Sequence, residues 1–350
     1  MRMRLRLRRA DKRPRQDHLK VGAAAMTYSQ PYVLCVGILV ADLFVPPLAA
    51  LPEAGRLVAT EDFLMDSGGC AANTSTTLAR LGIEARVAGK VGEDSYGAFI
   101  TQDLARKGVE ISGVSISRRF GTSKTVILPV IGEDRRFIHT FGANADFGAA
   151  DIKQETLAGA SVFYVGGYMV LPDLAQDDLA ALFQLARLHG VRTALDVVVP
   201  AGDTSASLGD LERVLPFVDV FLPNDEEAEH LTGEEEPRRQ AEAFLRAGCA
   251  TVVITRGGRG ALLMDQTQII EASAFDVTLV DSSGAGDAFA GGFIAGMMMG
   301  LDQAETLRFA SAIGASSCTS LGCTTGIFTR EQAEAFLRER PLPLRIDRRD

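Results

Sequence analysis

Residues 281–293 read DSSGAGDAFAGGF: two acids, Asp281 and Asp287, bracket five small residues, and an apolar, helix-like stretch follows at once. The first turn of a helix leaves N–H groups unpaired at the positive end of the helix dipole, which makes it a ready anion site. If the helix starts near Ala285, then Gly284, Ala285 and Gly286 allow a bulky anion to approach the backbone closely. Asp287 falls in the first helical turn, where the dipole favours the ionised carboxylate. Amides that hold a transferred phosphoryl group, beside a carboxylate that takes a proton from the attacking hydroxyl, are the parts phosphoryl transfer needs. A glycine-rich turn that merely packs a helix against a strand would look the same locally. Competing nucleotide motifs are absent. No G-x-x-x-x-G-K-[ST] occurs, and Phe289 stands where G-x-G-x-x-G would need its third glycine. A P-loop enzyme and a dinucleotide dehydrogenase are therefore both disfavoured.

Such a loop has to be held by a frame, and the rest of the chain supplies the pattern of one. Apolar strand-like runs at 32–39, 85–91, 161–167, 191–199, 217–223 and 251–255 alternate with segments at helical period. In one of these, Leu174, Leu179, Leu182 and Leu185 share a face and Gly190 ends the run. Alternation of this kind, with Val/Ile-rich strands, predicts a mostly parallel sheet covered on both faces, in one main domain. Residues 40–66 and 114–140 break the rhythm with short alternating strands and no helix between them. They are expected to pair into a small sheet that serves as a lid excluding water from the site, rather than to extend the edge of the main sheet.

Composition narrows the class. The chain has 350 residues, 47% of them hydrophobic, and a net charge of −9, so it is long enough for one large α/β domain. Nine Lys/Arg and two Asp crowd the first 20 residues, leaving 27 bases against 43 acids in the remainder. The stretch 1–28 therefore reads as a basic, disordered extension, or as an over-extended start with Met26 the true first residue. An acidic body argues against nucleic acid as the main partner. No apolar run reaches the roughly 18–20 residues needed to cross a bilayer, so no membrane partner is expected. Five cysteines without a C-x-x-C, and four unpaired histidines, spell no zinc site and point to the cytoplasm. Residues 341–350 read as a C-terminal tail.

DSSGAGDAFAGGF resembles the D-[ST]-x-G-A-G-D-x-F signature of the ribokinase-like (phosphofructokinase-B type) carbohydrate kinases, with Ser282 where Thr is more usual. Other segments fall in that family's order: SGGCAANTSTTLARLG (67–82) is similar to its G-G-x-x-x-N element and VGEDSYG (91–97) to V-G-x-D-x-x-G. PNDEE (223–227) resembles N-x-x-E, and TRGGRGA (255–261) resembles T-x-G-x-x-G. The resemblance implies a ribokinase-like three-layer αβα sandwich over residues 29–340, with a mostly parallel central sheet and a small β-sheet lid. It also implies an ATP-dependent, Mg²⁺-requiring enzyme that phosphorylates a hydroxyl, a primary alcohol, of a sugar or sugar-like substrate.

The same resemblance distributes roles. Asp287 would be the base, and Gly284, Ala285 and Gly286 the anion hole for the γ-phosphate. Asn224 and Glu227, on one face if a helix starts there, would hold Mg²⁺ through water, and Thr255, Gly257, Gly258 and Gly260 would form the nucleotide loop. Asp42, placed at the end of the first strand, would bind the acceptor together with Gly68, Gly69 and Asn73. Asp281 would order its loop, cap a turn or help bind a monovalent cation such as K⁺. Cys70 reads as a small residue that fits its loop. Pairing of two lids would give a homodimer. One departure bears on the acceptor. Relatives acting on fructose or ketodeoxygluconate tend to carry D-x-N-x-R, whereas here DVVVPAGD keeps Asp196 but has Val198 and Pro200. FGANADF (141–147) instead resembles the ribokinase and nucleoside-kinase branches, so neutral sugars, nucleosides and cyclitols stay open. Two further readings are an adenosine-type nucleoside kinase and a non-catalytic sugar- or nucleotide-sensing protein. A pyridoxal-type kinase is disfavoured by the G-G-x-x-x-N element and the lid strands.

Overall fold

Strands and helices alternate along the chain as the hydrophobic pattern requires. The computed structural model describes residues 30–133, 136–200, 202 and 204–349, so the basic stretch 1–28 lies outside the described residues. It opens with β1 (Tyr32–Gly37), β2 (Val40–Phe44), β3 (Leu64–Gly68), α1 (Cys70–Arg80), β4 (Glu84–Gly92), α2 (Ser95–Arg106) and β5 (Glu110–Ser117). Next come β6 (Lys124–Leu128), β7 (Arg136–Thr140), α3 (Gln154–Ala158), β8 (Val162–Gly166), α4 (Gln176–Leu188) and β9 (Arg192–Leu195). β10 (Val220–Phe221), α5 (Asp225–Thr232), α6 (Pro237–Arg246), β11 (Thr251–Thr255), β12 (Ala261–Met264) and β13 (Gln268–Ala272) follow. The last elements are α7 (Ala285–Met299), α8 (Gln303–Ser317), α9 (Arg330–Glu339) and β14 (Leu344–Arg348).

Ten strands form the main sheet in the order β14-β13-β12-β11-β10-β9-β8-β1-β4-β5. Pairing is parallel from β5 to β11 and antiparallel from β11 to β14. Side-chain alternation buries both faces. Leu34, Val36, Phe163 and Val165 enter one core, while Val33, Cys35, Val162 and Tyr164 enter the other. The result is the expected three-layer sandwich. The chain runs outward from β1 to β4 and β5, then returns to β8 and proceeds the opposite way. Ligands of open α/β sheets bind at the carboxyl ends of strands near such a reversal. The segments after β1, β9, β10 and β11 carry Asp42, Asp196, Asn224 and the 255–260 loop to that edge. Among the described residues no helix is long and apolar enough to cross a membrane.

A separate four-stranded sheet has the order β3-β2-β6-β7, so the small sheet expected from 40–66 and 114–140 is present with narrower limits. Residues 114–117 belong instead to β5, because Val114 pairs with Gly89 at the edge of the main sheet. The supposed tail at 341–350 supplies a strand: β14 pairs antiparallel with β13, and Arg238 joins Glu271 of β13 to Asp347 of β14, at 2.7 Å from the latter. Its charges look like a tail in sequence, yet charged side chains are a common way of blunting a sheet edge. Two core strands are shorter than their apolar runs. β9 stops at Leu195 and β10 spans two residues, ending ahead of Pro223, which has no N–H to offer a ladder.

Helix α7 is buried along its middle, residues 288–296, and packs between α1 and α8. Its glycines permit that approach: a Cβ on Gly291 would lie 2.7 Å from Thr77 Cβ of α1, and one on Gly292 would lie 2.9 Å from Ile313 Cβ of α8. Overpacking a site of this kind costs about 1–3 kcal/mol. Gly291→Val should therefore lower the stability measured by urea unfolding by that amount, with an unchanged m-value.

Candidate functional site

Anion-binding geometry begins at Gly284, which caps α7 with φ 72°, a left-handed conformation that side chains resist. A Cβ there would also sit 2.8 Å from Cys323 Cβ. Ala285 and Gly286 start the helix, and nothing lies within 4 Å of where a Gly286 Cβ would stand. Buried Asp281 secures the loop from behind. Its Oδ1 accepts from Ser283 N at 2.9 Å and its Oδ2 from Gly322 N at 3.2 Å. Thr255, Gly257, Gly258 and Gly260 join Ser282, Ala285 and Gly286 around one cavity of about 620 Å³. Phe275, Val277, Leu279 and Phe289 give it apolar walls. Side chains at Gly257 and Gly258 would also project into open space. Two motifs distant in sequence thus line one ligand-sized cavity with room left against their backbones.

Asp287 lies in the first turn of α7. Asn73, 3% exposed on α1, donates from Nδ2 to Asp287 Oδ2 at 2.8 Å, and Thr74 Oγ1 donates to the Asp287 carbonyl at 3.3 Å. Asn73 therefore orients the carboxylate rather than capping its own helix. Burial raises the Asp287 carboxyl above its ordinary 3.8, while hydrogen bonds from Asn73 and Cys70 pull it back down. Two more carboxylates stand near. Burial, then the negative charges of Glu227 and Asp287, hold Asp196 well above its usual range. Burial is also the main cause for Glu227, opposed by the Asn224 amide and reinforced by Asp287.

Asn224 and Glu227 form a reciprocal cap at the start of α5 instead of merely sharing a helix face. Asn224 Oδ1 accepts from Glu227 N at 2.8 Å, and Glu227 Oε2 accepts from Asn224 N at 2.9 Å. Asn224 also bridges to Thr255, which fastens this cap beside the 255–260 loop. The cap engages the Asn224 oxygen and one Glu227 oxygen, so the carboxylates of Glu227 and Asp196 are the donors that suit a hard dication.

Asp42 sits within β2 of the small sheet, not at the end of the first strand, because the chain leaves the main sheet after Gly37. Strand register aligns Asp66, Asp42, Thr125 and His139 in one row across four strands. Thr125 Oγ1 lies 3.0 Å from His139 Nδ1, and the Cys323 thiol donates to Asp42 Oδ2 at 3.8 Å. Burial raises the Asp42 carboxyl to about 7, opposed by the Thr125 hydroxyl and helped by the charges of Asp66 and Asp287. Gly68 makes room for this carboxylate, since a Cβ would fall 1.8 Å from Asp42 Oδ2. Gly69, with φ 91°, turns the chain into α1. Thr125 and His139 carry no sequence signal, because only the register of the small sheet brings Thr125 beside Asp42 and His139 beside Thr125. Cys70 proves more than a small filler, as its thiol meets both Asp196 and Asp287. The retained Asp of the broken D-x-N-x-R pattern was the one available sign of Asp196.

The chain is 27% identical over 290 residues to a ribokinase of Haemophilus influenzae, covering 81% of this chain and 92% of that protein. It is 30% identical over 290 residues to an ATP-dependent ribose-1-phosphate kinase of Halopiger xanaduensis, covering 83% and 93%. The fold is similar to that of Arabidopsis thaliana ribokinase solved with ribose and ATP, with a TM-score of 0.75, 24% identity, and coverage of 88% and 99%. The model of the pfkB family carbohydrate kinases matches residues 30–330, nearly the whole described chain. On that match the chain belongs to the PfkB family of carbohydrate kinases.

Proposed function

We propose that this kinase transfers the γ-phosphoryl group of ATP to a primary hydroxyl of a ribose-like sugar in the cytoplasm, with Asp287 as base. One observation carries the reading. Asp287 is oriented by Asn73 at the open start of α7, and the residues flanking it line the same cavity as the 255–260 loop. The acceptor hydroxyl gives its proton to the Asp287 carboxylate as its oxygen attacks phosphorus. The N–H groups at Gly284, Ala285 and Gly286 meet the charge that develops on the phosphoryl oxygens. Thr255, Gly257, Gly258 and Gly260 receive the nucleotide, and Asp42, Gly68, Gly69 and Asn73 receive the acceptor. Glu227, with Asn224 and Asp196 beside it, would hold Mg²⁺, which shields phosphate charge when bound.

Several details favour a sugar acceptor over a nucleoside. The relatives named above act on ribose compounds. Asn144 of FGANADF is buried and engaged with the Leu39 backbone at 3.1 and 3.0 Å, so it braces the chain rather than facing an acceptor base. A binding protein without turnover would have no use for an oriented Asp287. Asp281 orders the anion loop in this reading, and K⁺ dependence of the rate tells whether a cation shares that task. The small sheet and the residue leading into it also expose Phe63, Met65 and Ile138, an apolar set suited to a second copy of the chain.

Three measurements test this reading. Asp287→Asn should lower kcat by about 10²–10⁴-fold in an ADP-release assay while leaving thermal unfolding intact. Asn73→Ala removes a donor that favours the ionised carboxylate, so the Asp287 pKa rises and the acid limb of kcat/KM against pH moves upward. An unmoved limb would exclude Asn73 as the group orienting the base. Sedimentation should show a dimer that Ile138→Asp converts to monomer.

A further inference from the structure

Several buried or partly buried acids elsewhere in this protein are matched by bases. Lys107 lies 2.5 Å from Asp66 and 2.8 Å from Asp103, and Lys90 lies 2.9 Å from Asp151 and 3.7 Å from Asp146. Among the described residues the acids around Asp287 show no such partner: burial, hydrogen bonds and neighbouring acids are the leading influences on Asp196, Glu227 and Asp287. Into this negative pocket the first turn of α1 places a thiol. Cys70 Sγ and one carboxylate oxygen each from Asp196 and Asp287 lie within 4.8 Å of one another. Metal bonds of about 2.0–2.3 Å set donors roughly 3.3–3.8 Å apart around one ion, so side-chain movements of about 1 Å would close the set. A second feature points the same way. Asn73 follows Cys70 by one helical turn, and its amide reaches Asp287, yet its buried Oδ1 has no hydrogen-bond partner.

We infer that Cys70, Asp196 and Asp287 form a site for a thiophilic divalent cation of the Zn²⁺ or Cd²⁺ class, distinct in chemistry from the Mg²⁺ that accompanies ATP. Two carboxylates supply negative charge, and sulfur supplies the selectivity, because Mg²⁺ takes oxygen ligands and thiolate prefers softer metals. As the metal–sulfur bond forms, the Cys70 thiol releases its proton to solvent and no electron is transferred. Occupancy engages the Asp287 carboxylate that would accept the hydroxyl proton, so the cation inhibits transfer. That inhibition rests on Asp287 being the base; the binding does not.

Titration of the purified full chain with CdCl₂ separates the two. A thiolate-to-cadmium absorption band in the ultraviolet should saturate at one ion per chain in a Cys323→Ala control and disappear in Cys70→Ser. Asp196→Asn keeps the thiol and should weaken the titration by roughly tenfold or more, the usual scale for disturbing a metal site. ZnCl₂ should inhibit ADP release, and the concentration for half inhibition, relative to each variant's own rate, should rise by a similar factor in Asp196→Asn. A band that survives Cys70→Ser, or is indifferent to Asp196→Asn, overturns the site. A Cys70-dependent band without inhibition keeps the site and overturns Asp287 as base.

Discussion

The geometry of the candidate site depends on how closely α7 can approach α1. The hydrogen bond from Asn73 to Asp287 spans 214 residues of sequence at 2.8 Å. It exists because Gly291 leaves no side chain between the helices and lets Thr77 fill the gap. Thr74 adds a bond to the Asp287 backbone from the same face. A helix start that could bind any anion thereby gains a carboxylate of fixed direction. Glycine here serves packing first, and its effect on chemistry follows from the distance that packing sets.

Charge is managed differently in the frame and in the site. Around the frame, Lys90 and Lys107 neutralise pairs of partly buried acids, the arrangement expected of groups whose desolvation must be offset. In the site, burial and then the charges of neighbouring acids raise the proton affinity of Asp42, Asp196 and Glu227, and burial raises that of Asp287. Such a cluster works against stability while empty, and it is matched to ligands that bring protons or cations with them.

Much of this was legible in residue order. The small-residue run at 281–289 announced a helix start, and strand–helix alternation announced the sheet, because both depend on local preferences. Nucleotide and anion loops could be named separately, although their shared cavity required the strand order. Legibility failed where meaning came from partners. β14 looked like a tail until β13 and Arg238 supplied its neighbours. Asp42 looked like the end of a main-sheet strand, yet only the departure after Gly37 assigns it to the small sheet. The row from Asp66 to His139 joins four strands whose register no single segment encodes.

The path of the chain from β3 into α1 has a mechanical consequence. Gly68 closes the small sheet, Gly69 turns at φ 91°, and Cys70 begins the helix without an intervening loop. The small sheet and α1 are therefore a lever and its mount, with the fulcrum one turn from Asn73. On the roles proposed above, a movement of the sheet that carried Asp42 onto an acceptor would be felt at the amide that orients Asp287. The proposed acceptor residue and the proposed base would then be geared to a single two-residue joint, Gly68 and Gly69.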